Sequence, residues 1–220
     1  MKYFNVTTIF MLICLLASLT VYFRKGRSYP YLFYFPPILL ITLAVEITGT
    51  YIASMGRPNL LLYNFFSIFW ICYYLFMISL MIQSLTVKKL IRVAIAIYFI
   101  IVFSKLVFID KLQPLTFNTV PHSLGFLIIV IFSIYYFYEL FRTPKYVNLT
   151  NNPAFWICTG LLFFCSCGFP LWGFINVWAK MPLVIKSLAA IIVILNLFLY
   201  SLFTIAFLCI KSPKYTLSSS

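Results

Sequence analysis

Residues 43–64, LAVEITGTYIASMGRPNLLLYN, place one carboxylate, Glu46, in an apolar run that carries no other charge before Arg57. The whole chain has 3 Asp and Glu and 1 His in 220 residues, so chemistry by titratable groups is confined to few positions. Glu46, Lys105, His122 and Lys186 fall within or at the margins of apolar runs, and Thr50, Asn64, Ser67 and Asn196 can serve them as neutral partners. A carboxylate so placed can carry a proton, pair with a cation or bind a ligand. Acid–base catalysis by two carboxylates needs a second one beside Glu46, and no paired-acid, HExxH, Ser-His-Asp or phosphate-loop pattern is present. The thiols Cys165 and Cys167 in FFCSCGF suggest metal ligation, but 1 His and 3 carboxylates leave too few further ligands. All 6 cysteines lie in apolar segments, where they act as small buried hydrophobes, and no disulfide framework is expected. No catalytic residue, metal or cofactor is assigned.

What must position these groups follows from composition. Hydrophobic residues make up 64%, aromatic 20% and charged 9% of the chain, and the mean hydropathy is +1.07. A soluble domain is near half apolar and a quarter charged, so this chain is solvated by membrane lipid. Runs bounded by charges, Pro, Gly or Asn predict an all-α, seven-helix transmembrane bundle forming a single domain, 1–220, with spans near 4–23, 31–55, 60–85, 91–109, 119–141, 153–177 and 183–210. Their continuous apolarity excludes barrel strands, which alternate. The first run continues to residue 23 and then meets Arg24, Lys25 and Arg27, the flank of a retained anchor and not of a cleaved signal. The formal charge of +13 does not indicate nucleic acid, because the basic residues punctuate apolar runs; it signals topology and attraction to anionic headgroups.

Orientation follows from those bases. The odd-numbered loops and the C-terminus carry Arg24, Lys25, Arg27, Lys88, Lys89, Arg92, Arg142, Lys145, Lys211 and Lys214; the N-terminus and even-numbered loops carry Lys2, Arg57, Lys111 and Lys180. Ten against four places the N-terminus outside and the C-terminus in the cytoplasm. Glu46 then lies roughly 13 Å below the outer interface at about 1.5 Å per residue. Asn64, Lys105, His122 and Lys186 lie within about two turns of the same surface.

Helical spacing puts Thr42, Glu46, Gly49 and Ala53 on one face, with Thr50 beside them. Asn64, Ser67 and Tyr74 share another, as do Lys186, Val193, Asn196 and Tyr200. A charge at mid-membrane costs about 2.5–3.5 kcal/mol on insertion scales, so Glu46 is expected to face protein or a cavity, either as a functional group or in a structural hydrogen bond to Asn64 or Tyr63. The competing readings are plain. Small and hydroxylated residues on the sixth helix serve helix packing, Lys105 and Lys186 can snorkel outward, and His122 after Pro121 and Glu139 before Arg142 are placed at interfaces. Pro36–Pro37 and Pro170 are expected to break the second and sixth helices.

The stretches VEITGTYIASMGRPNLLLYNFF and NPAFWICTGLLFFCSCG resemble, in their spacing of Glu, Gly, Asn and Phe-Trp-Ile, uncharacterised seven-helix proteins of Bacteroidota-type bacteria. The resemblance implies a bacterial inner membrane. No chemistry is assigned to that group, so no residue role carries over. The reading that results is a receptor-like or sensory bundle, in which Glu46, Thr50, Asn64, Ser67, Lys105, His122, Lys186 and Asn196 bind a small or lipidic ligand and basic loops dock a cytoplasmic signalling protein. The alternatives are a small-solute or proton-coupled transporter, then a lipid-modifying enzyme.

Overall fold

Hydrocarbon offers backbone N–H and C=O groups no partner, so each apolar run must close its hydrogen bonds on itself as a helix. The structure, a computed structural model, describes residues 2–23, 29–109, 117–142, 149–178 and 181–209, and the side chains of 2–5 and 182–186 lie outside the described set. Seven long helices follow in chain order: α1 (Lys2–Phe23), α2 (Phe35–Ser54), α3 (Leu60–Met81), α4 (Leu85–Ser104), α5 (Thr119–Arg142), α6 (Pro153–Gly173) and α7 (Pro182–Leu208). Among the described residues there is no strand, and 7 helical segments are long and apolar enough to cross a bilayer, as in an integral multi-pass membrane protein.

Three boundaries differ from those expected, each for a local reason. Pro36 and Pro37 do not break a helix. A 3-10 turn, Pro30–Tyr34, precedes α2, and the prolines occupy its first turn, where a missing N–H costs nothing. Tyr73 of α3 donates its hydroxyl to the carbonyl of Tyr34 at that junction. The segment TVKKLIR, expected to leave the membrane as a loop, is instead the start of α4. The chain turns at residues 82–84, where Glu139 of α5 accepts the backbone N–H of Gln83 at 2.6 Å and of Ser84 at 2.8 Å. The Ser84 hydroxyl then caps α4 by accepting from the Val87 N–H at 3.5 Å. Beyond Ser104, α4 widens into a π-helical turn, Lys105–Ile109. Finally, Pro170 stays inside α6, which ends at Gly173 before a single helical turn, Ile175–Trp178.

The helices close a ring in the order α1, α2, α3, α5, α6, α7 and back to α1, while α4 packs outside it, chiefly against α3. The α5–α6 face is the most extensive, and α2–α3 is the slightest in the ring. Aromatic rings fill the centre. Phe35 (α2) lies 5.5 Å from both Phe203 and Phe207 (α7), and Trp70 (α3) lies 4.4 Å from Tyr74 and 5.8 Å from both Phe126 (α5) and Phe164 (α6). Close helix approach requires small residues. A Cβ on Gly168 of α6 would lie 2.6 Å from the Phe126 ring, and one on Gly125 of α5 would lie 2.5 Å from Ile71 of α3.

Gly168→Val is therefore expected to destabilise the bundle by about 1–3 kcal/mol through overpacking, read as a lower thermal midpoint in detergent. Gly160→Ala, whose Cβ would meet Leu199 at 3.2 Å, costs less. Glu139→Ala removes the acceptor of two amides, and amide exchange at Gln83 and Ser84 is expected to accelerate at least about tenfold, the factor that 1.4 kcal/mol of local opening free energy gives.

Candidate functional site

Glu46 is on the inward side of α2, with Thr42 one turn before it. The hydroxyl of Tyr63, on α3, donates to Glu46 Oε2 at 3.4 Å, a long contact for an O–H···O bond. Of the two hydrogen-bond partners considered from sequence, Asn64 and Tyr63, the structure supplies Tyr63. Gly49, one turn further along α2, makes that approach possible, because a Cβ there would lie 2.5 Å from the Tyr63 hydroxyl and 2.8 Å from its ring. The same corner is tied by Asn59, whose side-chain amide donates to the Gly49 carbonyl at 3.0 Å. Gly56, at φ 71°, turns the chain between α2 and α3 in a conformation that favours glycine.

Glu46 opens onto a cavity of about 510 Å³ inside the ring. All six ring helices contribute to its wall: Thr7 and Met11 from α1, Thr42 and Glu46 from α2, Tyr63, Phe66, Ser67 and Trp70 from α3, His122 and Phe126 from α5, Phe164 and Trp172 from α6, and Val193, Asn196 and Tyr200 from α7. Phe117 and Ile175 also line it, and the Asn176 side-chain amide donates to the Phe117 carbonyl at 2.9 Å, joining the turn after α6 to the entry of α5. The wall is thus largely apolar, rich in aromatic rings and with a few polar groups, a composition that small-molecule sites share.

His122 is not at an exposed interface. It is 9% exposed, its ring centroid lies 4.4 Å from Phe126, 5.1 Å from Phe117 and 5.4 Å from Trp172, and neither ring nitrogen has a protein hydrogen-bond partner. Asn196 donates to the Ile192 carbonyl within its own helix at 2.9 Å.

A second polar group lies at the same end of the bundle, where α3 and α5 begin and α4 ends. Lys105 does not snorkel outward. Its ammonium donates to Asn118 Oδ1 at 2.6 Å, and the Asn118 backbone N–H donates to Asn64 Oδ1 at 3.1 Å. Asn64 is 1% exposed and Asn118 8%. Asn64 and Lys105 are therefore brought to each other through Asn118, outside the cavity wall. Thr50 donates its hydroxyl to the Glu46 carbonyl at 2.8 Å and also does not line the cavity. Of the residues singled out from sequence, Glu46, Ser67, His122 and Asn196 meet in the cavity. Lys186 lies in the first turns of α7, and its side chain is outside the described set.

Sequence reasoning missed Asn118 and the aromatic wall. Asn118 stood in FNTVPHS as an ordinary helix-start residue, and in a chain with 25 Phe no single ring is a signal. Among the described residues no group of three or more His, Cys, Asp or Glu side chains could hold a metal ion. Cys165 is buried while Cys167 is partly exposed, and residues two apart on a helix do not face each other. Compared with known protein families, with characterised proteins and with solved structures, the chain has no match.

The Gly49 contact yields a direct test. Gly49→Ala is expected to push Tyr63 off Glu46 and destabilise the bundle by about 1–3 kcal/mol, whereas Tyr63→Phe removes only one long hydrogen bond and costs less than about 1.5 kcal/mol. Thermal unfolding of the two variants in detergent checks the order.

Proposed function

We propose that this chain is a receptor-like bundle of the bacterial inner membrane, in which the cavity binds a small or lipidic ligand and a separate cytoplasmic protein carries the output. The observation that carries the reading is the cavity itself, about 510 Å³ with wall residues from all six ring helices. A ligand seated there touches every ring helix at once, so its binding energy can bias their relative packing. The residue set supports binding over turnover, since among the described residues Glu46 is the one carboxylate lining the cavity and no nucleophile–base pair accompanies it.

The basic residues assign the outside to the N-terminus and place the cavity in the outer leaflet. Lys88, Lys89 and Arg92 in the first turns of α4, with Arg142 at the end of α5, then face the cytoplasm, where they meet anionic lipid headgroups and the partner.

Two measurements test this. In a cysteine-labelling map of intact cells, residue 2 is expected to react with a membrane-impermeant maleimide and residue 214 only after lysis; both termini on one side would overturn the orientation. In proteoliposomes, the receptor reading expects no solute or proton flux, together with copurification of a cytoplasmic protein under mild extraction. Flux abolished by Glu46→Gln in a variant of unchanged thermal midpoint would replace the receptor with a transporter.

A further inference from the structure

The ligand's chemical class can be read from the wall. Glu46 lines the cavity, and its sole side-chain hydrogen bond among the described residues is the 3.4 Å contact from Tyr63. A carboxylate with so little compensation in a mainly apolar wall needs a positive partner or a proton. Among the described residues no Lys or Arg lines the cavity; Lys105 is engaged with Asn118. Aromatic rings make up much of the remaining wall, among them Trp70, Phe117 and Trp172, the last two packed together with centroids 5.3 Å apart. The negative faces of Trp and Phe rings attract an ammonium group. His122, 9% exposed, lines the cavity through its ring carbons, while both of its nitrogens are buried away from it.

We infer that the cavity binds an organic ammonium ion, with Glu46 as counter-charge and the Trp70, Trp172 and Phe117 rings lining the rest of its site. This rests on the cavity being the ligand site. The ammonium group can belong to a free amine or to an amine-headed lipid.

The chain's 4 tryptophans make the test direct, because Trp70 and Trp172 line the cavity while Trp156 and Trp178 do not. Purified protein is titrated with 4-bromophenethylamine and with its neutral isostere, 4-bromophenethyl alcohol, and quenching of tryptophan fluorescence is followed. A Trp70→Phe/Trp172→Phe variant measures quenching that arises from the micelle alone. The amine is expected to quench saturably with an apparent Kd at least ten times lower than that of the alcohol, and Glu46→Gln to bring the two together.

Saturable quenching by both compounds with equal Kd in the wild-type protein would overturn the ammonium assignment and leave the cavity as a ligand site. An internal cation that already neutralises Glu46, Lys186 included, would produce that result. Absence of saturable, cavity-dependent quenching by either compound would overturn the ligand-site reading as well. The isostere comparison needs no variant of Glu46, so it stands even if Glu46→Gln does not fold. Repeating both titrations in nanodiscs of phosphatidylethanolamine and of phosphatidylglycerol assigns the source. A Kd raised severalfold by phosphatidylethanolamine for the amine and for the neutral alcohol alike identifies the lipid headgroup in the cavity, because attraction to anionic phosphatidylglycerol acts on the amine only; an unchanged alcohol Kd identifies a free amine.

Discussion

Acyl chains form no hydrogen bonds, and that constraint sorts the polar side chains of this bundle. Many hydroxyls on helices are turned back onto their own backbones, as Thr42 onto Ile38, Thr159 onto Phe155 and Thr204 onto Tyr200, and cost the membrane little; the buried Ser123 and Ser133 hydroxyls of α5 have no protein partner. Groups too strong to be silenced in that way are paired across helices, as Lys105 with Asn118 and Glu139 with the amides of Gln83 and Ser84. Glu46 has only the long 3.4 Å contact from Tyr63, and His122 has no protein partner at either nitrogen. Both residues line the cavity.

The small residues of α2, α5 and α6 do complementary work. Gly168 lets Phe126 lie against α6, and Gly125 lets Ile71 reach α5. These contacts close the α3–α5–α6 side tightly. On the α2 side Gly49 admits only the tip of Tyr63, and the α2–α3 contact stays slight. Space is left where the carboxylate stands and removed elsewhere.

The seven spans were legible because continuous apolarity over about twenty residues has one physical solution in lipid. The inward direction of Glu46 was legible from the cost of the alternative. Pairings between distant segments were not. Asn64 and Asn118 are 54 residues apart, and neither side chain announces the other. The start of α4 depends on Glu139, 55 residues beyond Ser84, so TVKKLIR reads as a polar exit from the membrane when it belongs to a capped helix. Pro36 and Pro37 were read as breakers because their position in the first turn is fixed by the 3-10 segment before them. The rings around the cavity were hidden by abundance, since 20% of all residues are aromatic.

The placement of α4 has a mechanical consequence. It lies outside the ring and buries a narrow seam, with Ile91, Tyr98 and Val102 covered while Ile97, Ile100 and Ile101 face outward. Its helical length, Leu85–Ile109, is 25 residues, but Lys88, Lys89 and Arg92 occupy the first two turns, and the apolar part that follows spans about 25 Å at 1.5 Å per residue, against a hydrocarbon thickness near 30 Å. Such a helix thins the surrounding bilayer or lets its flanking lysines reach the headgroups. Its two ends are fastened, one to Glu139 and the other to Asn118, four residues from His122. Bilayer thickness therefore loads the threshold of the cavity through this outrigger, and the ring itself is left to respond.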